Sequence, residues 1–106
     1  MIHPSAFIDP GAEIAPDVEI GPGVYIGPQV FIGSGCVLHH NSSVICNTRI
    51  GERNVIHPGA VLGGDPQDKK WDGEETWAEI GSDNMFREHC TVNRGTMQGG
   101  GVTKIG

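Results

Sequence analysis

The chain has 106 residues, with 13 acidic against seven basic side chains, a net charge of −6, and 17 glycines and seven prolines. This length allows one domain, and the negative charge argues against nucleic-acid binding, which requires clustered Lys and Arg. There is no apolar run near the roughly 20 residues of a membrane span, no recognisable secretory signal and no CxxC pair among the three cysteines, so a reducing cytoplasm is the expected location.

An aliphatic residue returns at every sixth position from the N-terminus to Leu62. The residue four positions later is small or compact, and most prolines fall two positions after the aliphatic residue. The aliphatic series is Ile2, Ile8, Ile14, Ile20, Ile26, Ile32, Leu38, Val44, Ile50, Ile56 and Leu62, and the compact series is Ala6, Ala12, Val18, Val24, Val30, Cys36, Ser42, Thr48, Asn54 and Ala60. A period of six fits neither an amphipathic helix nor a continuous strand, and it predicts a short strand followed by a corner.

Three such units close a triangular coil of about eighteen residues, and successive coils stack at the ~4.8 Å spacing of paired strands. At the corners, proline supplies a fixed φ, and glycine or asparagine accepts a positive φ. The pattern therefore predicts an all-β parallel β-helix of about five to six coils. Its similarity to hexapeptide-repeat proteins implies a left-handed coil, which departs from the right-handed rule for parallel crossovers.

The repeat is interrupted twice, at residues 63–79 and 93–104. The first stretch contains both tryptophans, two of the three lysines and six carboxylates, and the period resumes in phase at Ile80. We expect this excursion to replace most of one coil. The second stretch contains three consecutive glycines, and thirteen residues separate Val92 from Ile105, one too many for two repeats. Insertions in repeat folds often lie on the binding face, and the alternative is that both are surface loops without a function.

Both interruptions carry motifs that are similar to those of the UDP-N-acetylglucosamine O-acyltransferases of the hexapeptide-repeat family. The motifs are Asp65-Pro66-Gln67-Asp68-Lys69-Lys70, Gly73-Glu74-Glu75-Thr76, Asn93-Arg94-Gly95-Thr96 and Gly99-Gly100-Gly101-Val102-Thr103. The repeats are shared by many acyltransferases, whereas these stretches, in this order and spacing, are much more specific. The resemblance covers the whole chain.

The resemblance implies transfer of an (R)-3-hydroxyacyl chain from acyl carrier protein to the 3-hydroxyl of UDP-N-acetylglucosamine, the first step of lipid A synthesis. A histidine would act as general base, and a backbone N–H would stabilise the oxyanion. The family also implies a cytoplasmic homotrimer with active sites between subunits, no metal or cofactor, and no membrane insertion.

Three residues match the Gln-Asp-x-Lys motif of this family, in which they position the acylated sugar. They are Gln67, Asp68 and Lys70. A carboxylate can accept a hydrogen bond from a sugar or acyl hydroxyl, and a lysine offers positive charge to a nucleotide. The alternative interpretation is a solvated, charged loop.

The family's catalytic histidine lies in a later His-x-x-His-Asp stretch, which this chain lacks. We therefore expect residues 1–106 to be a single β-helix domain truncated from a longer chain, with no catalytic residue of its own and the general-base histidine downstream of Gly106. The isolated chain is expected to be inactive.

Other hypotheses remain open at this level. Hexapeptide-repeat carbonic anhydrases bind zinc through three histidines, two of them in an H-x4-H pattern that is absent here, although His39 and His57 should stack in adjacent coils. An N-acyltransferase would carry different loop motifs, and a non-catalytic scaffold would not need the 63–79 excursion. Cys36 and Cys90 occupy compact inward positions and are expected to serve packing.

Overall fold

The chain is built from short β-strands. A computed structural model describes residues 1–65, 76–94 and 102–106 and contains fourteen strands and no helix within those ranges. In chain order they are β1 (Phe7–Ile8), β2 (Glu13–Ile14), β3 (Glu19–Ile20), β4 (Tyr25–Ile26), β5 (Val30–Ile32), β6 (Val37–Leu38), β7 (Ser43–Val44), β8 (Thr48–Ile50), β9 (Val55–Ile56), β10 (Val61–Gly64), β11 (Trp77–Ile80), β12 (Met85–Phe86), β13 (Thr91–Asn93) and β14 (Val102–Ile105).

Every third strand belongs to the same parallel sheet. The first sheet has the order β1-β4-β7-β10-β13, the second β14-β11-β8-β5-β2 and the third β12-β9-β6-β3. In the first coils the paired residues are eighteen positions apart, as in Val30↔Thr48 and Phe7↔Tyr25. Three strands therefore complete one turn, and this topology confirms the predicted all-β parallel β-helix.

The two inward series of the six-residue repeat form the core. From Ile20 to Leu62 the aliphatic position is buried on every strand, and Ile80 and Phe86 continue the buried series beyond the first interruption. The compact position is buried from Val18 to Ala60 and again at Ala78, and it includes Ser42, Thr48 and Asn54. Each strand buries one large and one compact side chain, which explains why the six-residue period is maintained over so many repeats.

The corners use residues in left-handed backbone conformation. Pro22-Gly23 and Pro58-Gly59 follow the expected pattern, with φ of +69° and +77° at the glycines. Several corners place a non-glycine residue there instead: Gln29, Asn41, Asn47, Arg53, Asp83 and His89. Asparagine, aspartate and histidine are enriched in this region, whereas Gln29 and Arg53 are not expected there from residue type alone.

The first interruption does not replace a coil, so that expectation is wrong. Leu62 lies on β10 of the first sheet and Ile80 lies on β11 of the second sheet, which is the next strand in the normal order. Thr48 pairs with Ala78, thirty residues later, where an undisturbed coil has eighteen. The excursion is therefore an insertion of twelve residues at one corner. Its length is a multiple of six, so the sequence period alone cannot distinguish an insertion from a replaced coil.

The second interruption is also an insertion, and it leaves from the same corner. Ala78 pairs with Thr103, twenty-five residues later, so this coil has seven residues more than the regular eighteen. The chain passes from β13 of the first sheet to β14 of the second sheet, just as it passes from β10 to β11 one coil earlier. Within the described ranges, no helix is long and apolar enough to cross a membrane.

Candidate functional site

The corner between the first and second sheets is the candidate site. On the first three coils it is short, and on the next two coils it carries the insertions. Because parallel strands stack at about 4.8 Å, the two insertions begin on neighbouring levels of the same corner. Gly64 of β10 pairs with Asn93 of β13, which brings the starting points of both insertions into contact.

The sequence-predicted substrate residues belong to the first insertion. Gln67, Asp68 and Lys70 lie outside the described residues, so their predicted role stays a prediction. The described part of this insertion consists of its two ends, Asp65 and Thr76. Of the Asn93-Arg94-Gly95-Thr96 motif, the structure describes Asn93 and Arg94.

Arg94 joins the ends of the two insertions. Its side chain is only 6% exposed, and Nη2 lies 2.5 Å from Oδ1 of Asp65. Its Nε donates to the carbonyl oxygen of Gly64 at 3.3 Å, and its backbone N–H donates to the same oxygen at 2.9 Å. A buried guanidinium held by a carboxylate and a carbonyl fixes both chain segments, because breaking the pair would leave a charge in a dry environment.

Gly63 permits the turn into the first insertion. The pairing of β10 with β13 shifts between Leu62 and Gly64, so Gly63 is the extra residue of a β-bulge. Its φ is +74°, and a Cβ atom at this position would approach Thr48 Oγ1 to 2.1 Å and the carbonyl oxygen of Cys46 to 2.9 Å. Bulges redirect a strand and are frequent beside functional sites. Glycine is therefore required for both conformation and space.

The returning end of the insertion is fixed by Asn47 on the preceding coil. Asn47 Nδ2 donates to the carbonyl oxygen of Thr76 at 3.1 Å, and the Ala78 N–H donates to the Asn47 carbonyl at 3.0 Å. The Thr76 side chain is fully buried, and its Oγ1 has no hydrogen-bond partner among the described residues. Both ends of the first insertion are therefore held by the β-helix: Asp65 by Arg94 above and Thr76 by Asn47 below.

An aromatic and cationic cluster lies on the outer face of the second sheet, next to Thr76. Phe31, Arg49 and Trp77 stack, with the Arg49 guanidinium carbon 4.2 Å from the Trp77 ring centre and 5.7 Å from that of Phe31. Arg49 Nη1 also lies 3.4 Å from Glu79 Oε2. This cluster stiffens β11 where the insertion rejoins the sheet.

The stacked histidine pair lies at a different corner, between the third and first sheets. The ring centres of His39 and His57 are 5.3 Å apart, which confirms the predicted stacking. His57 Nδ1 is 3.9 Å from Glu88 Oε2, and its Nε2 is buried without a hydrogen-bond partner among the described residues. In the part of the chain that the structure describes, no three His, Cys, Asp or Glu side chains are grouped so as to hold a metal ion.

The three cysteines are free, and Cys36 and Cys90 belong to the packing of the core. Cys36 is fully buried and its thiol donates to the carbonyl oxygen of Gly51 at 3.1 Å. Cys90 packs against the core, and burial raises the pKa of its thiol, which disfavours the reactive thiolate.

Arg94 is the residue that the sequence interpretation missed. Its signal is the opposite charge of Asp65 and Arg94 at the starts of the two interruptions. The two residues can be recognised as a pair only when the strand pairing shows that both interruptions lie at the same corner. No histidine occurs among the described residues of the corner, which are Ile45 to Asn47, Gly63 to Asp65, Thr76, Asn93 and Arg94.

Comparison with known proteins gives consistent results. Residues 2–99 match the family model described as the GMPPB C-terminal domain. An acyl-[acyl-carrier-protein]–UDP-N-acetylglucosamine O-acyltransferase from Psychrobacter sp. is 48% identical over 105 residues, which is 99% of this chain and 40% of that protein. LpxA from Acinetobacter baumannii is 54% identical with a TM-score of 0.97, over 99% of this chain and 41% of that one. LpxA from Bacteroides fragilis, a UDP-N-acetylglucosamine acyltransferase, is 48% identical with a TM-score of 0.97, over 100% and 41% of the two chains.

The chain spans about two fifths of the length of the curated relatives that it matches. The matched part includes both insertions, because the alignments cover nearly all of its residues.

Proposed function

The chain belongs to the GMPPB C-terminal domain family, and from its likeness to the UDP-N-acetylglucosamine acyltransferases we propose that it forms part of such an O-acyltransferase. The reaction proposed is transfer of an (R)-3-hydroxyacyl chain from acyl carrier protein to the 3-hydroxyl of UDP-N-acetylglucosamine. This reaction would be the first step of lipid A synthesis.

The observation that carries the proposal is the shared corner. The Gln-Asp-x-Lys stretch and the Arg-Gly-Thr stretch are far apart in sequence, yet the insertions that contain them start on adjacent coils and meet at Gly64 and Asn93. Functional residues on loops need a rigid scaffold, and this corner offers one through Arg94 and Asn47. A pair of unrelated surface loops would have no need for a buried arginine that joins their ends.

In this proposal Gln67, Asp68 and Lys70 bind the sugar nucleotide and the acylated product. The Asp68 carboxylate accepts a hydrogen bond from a hydroxyl, and Lys70 offers positive charge to the nucleotide. The 3-hydroxyl loses its proton to a histidine base, its oxygen attacks the thioester carbonyl, and the tetrahedral intermediate expels the carrier thiol, which takes up a proton.

The base is proposed to come from outside these 106 residues, since the family's His-x-x-His-Asp stretch does not occur in them. The isolated chain is accordingly proposed to be inactive. Acyl transfer by these 106 residues at the rate of the full-length protein would contradict that.

A cytoplasmic homotrimer is the proposed assembly. It is supported by apolar side chains on the outer faces of the β-helix. Phe7 and Tyr25 stack with ring centres 5.3 Å apart while remaining 52% and 38% exposed, and Met85 is 59% exposed. Exposed apolar surface of this kind is typical of subunit interfaces.

The test is an acyl-transfer assay on the full-length protein with (R)-3-hydroxyacyl carrier protein as donor. Two acceptors are compared by mass spectrometry: UDP-N-acetylglucosamine, which offers a hydroxyl, and UDP-3-O-acyl-glucosamine, which offers an amine. The proposal expects acylation of the first acceptor alone. Acylation of the second acceptor alone would indicate an N-acyltransferase, and acylation of neither would leave the scaffold alternative; both results contradict the proposal.

A further inference from the structure

We propose that Arg94 is a positioning residue for substrate binding, acting through Asp65 and Gly64 on the first insertion. This inference rests on the proposed function. It assigns to Arg94 the role of holding the first insertion at its starting end.

The first step of the argument is the geometry of the contact. Arg94 makes a charged hydrogen bond to the Asp65 carboxylate and donates from both Nε and its backbone N–H to the Gly64 carbonyl. Gly64 and Asp65 are the last described residues before the stretch that contains Gln67 and Asp68. Arg94 therefore fixes the direction in which the chain enters that stretch.

The second step is burial. The Arg94 side chain is 6% exposed, whereas the Asp65 side chain is 69% exposed. An exposed ion pair contributes little, whereas removing one partner of a buried guanidinium is costly, so the contacts of Arg94 are held more firmly than those of a surface arginine. An exposed carboxylate bound to it is in turn oriented at the surface of the β-helix.

The third step is the contrast with a similar pair elsewhere. Arg53 binds Asp83 with Nε–Oδ1 and Nη2–Oδ2 distances of 2.7 Å and 3.0 Å, and these residues also bridge adjacent coils. Their corner, between the second and third sheets, carries no insertion, and the Arg53 side chain is 58% exposed. The Arg53–Asp83 pair is therefore a matched control for loss of an inter-coil ion pair without a substrate site.

The experiment compares Arg94→Met, Arg94→Lys and Arg53→Met in the full-length protein. Because small displacements of binding groups are costly, we expect Arg94→Met to lower kcat/KM for UDP-N-acetylglucosamine by at least about tenfold, mainly through a higher KM. Arg53→Met should change it by less than about twofold. Arg94→Lys keeps the charge opposite Asp65 and should recover part of the loss. The folded fraction of each variant is measured by circular dichroism at the assay temperature.

Equal kinetic effects of Arg94→Met and Arg53→Met would overturn the inference, and so would a loss of activity that matches the loss of folded protein. Hydrogen–deuterium exchange provides a readout independent of turnover: Arg94→Met should accelerate exchange in residues 62–65 and leave the Arg53 corner unchanged. Unchanged exchange at residues 62–65 would show that the contacts of Arg94 with Gly64 and Asp65 do not hold this segment, and would overturn the inference. If the unsubstituted protein transfers no acyl chain, the proposed function fails and the positioning role fails with it. Hydrogen–deuterium exchange would still show whether Arg94 holds residues 62–65 in place.

Discussion

Gly63 lies directly against Thr48 of the preceding coil, where a Cβ atom on Gly63 would stand 2.1 Å from Thr48 Oγ1. The Thr48 side chain is fully buried and donates a hydrogen bond of 2.9 Å to the carbonyl oxygen of Cys46, so it has little freedom to withdraw. The left-handed conformation of Gly63, with φ of +74°, adds a second constraint. The first insertion can start where it does because position 63 has no side chain.

Replacement of Gly63 by alanine should therefore destabilise the fold by about 2–4 kcal/mol, combining the strain of positive φ with overpacking. Gly11→Ala is the control: a Cβ there would stand 3.2 Å from the Asp9 side-chain oxygen and 3.8 Å or more from the backbone of Gln29 and Pro28, and φ is outside the left-handed region. Chemical denaturation of both variants gives the comparison. Equal stabilities of the two variants would contradict the close approach at Gly63.

Asn54 is a buried polar residue with a structural role that can be measured. Its Nδ2 donates to the Gly81 carbonyl at 2.8 Å, and its Oδ1 accepts from the Asn84 N–H at 2.9 Å. Asn54→Ala leaves both backbone groups without a partner inside the β-helix, which should cost about 2–4 kcal/mol of unfolding free energy.

Ser42→Ala tests the same compact slot where only one hydrogen bond is lost, from Ser42 Oγ to the His39 carbonyl at 2.8 Å. The expected cost is about 1 kcal/mol. If Ser42→Ala proves as damaging as Asn54→Ala, the two hydrogen bonds of Asn54 to the next coil contribute no more than the one local hydrogen bond of Ser42, which would contradict this prediction.

The fold was largely predictable because the same inward-facing residue pattern recurs in every repeat. One aliphatic and one compact side chain point inward on each strand, and Ile26, Leu38 and Ile56 are all fully buried as that pattern requires. The position of the first insertion was not predictable from the period. Leu62 and Ile80 are eighteen residues apart whether a coil is replaced or a corner is extended, and only strand pairing distinguishes the two.

The pair formed by Arg53 and Asp83 should make stability pH-dependent. Hydrogen bonds from Arg53 lower the pKa of the Asp83 carboxyl. Because the folded-state pKa lies below the unfolded value, the stabilisation is complete above the unfolded-state pKa and is lost as the pH falls through the folded-state value. Asp83→Asn removes this contribution. As the pH falls below about 4, the unfolding free energy of this variant should therefore fall less steeply than that of the unsubstituted protein.

Urea unfolding between about pH 7 and pH 2 measures this slope. Glu13→Gln, at an exposed position, is the control for the loss of one carboxylate. The effect should be small because both partners are largely exposed. A steeper acid loss in Asp83→Asn than in the unsubstituted protein would contradict the assigned direction.

The candidate site was predictable only through its motifs. Gln67, Asp68 and Lys70 were identified by resemblance, since a charged loop and a substrate loop have the same composition. Arg94 was missed because its partner Asp65 is twenty-nine residues away and the two meet only when the insertions share a corner. The contact of Arg49 with Trp77 was not predicted for the same reason, because Trp77 follows the first insertion and its register depends on where that insertion lies.

The most direct test of the account is the effect of Asp68→Ala on the full-length protein, measured as kcat/KM for UDP-N-acetylglucosamine together with the unfolding temperature. Asp72→Ala, a carboxylate in the same insertion but outside the Gln-Asp-x-Lys motif, is the matched control. The account predicts that Asp68→Ala lowers kcat/KM by at least about a hundredfold with little change in unfolding temperature, while Asp72→Ala changes neither. Equal behaviour of the two variants, or a loss of activity that follows a loss of stability, would contradict the assignment of this corner as the substrate site.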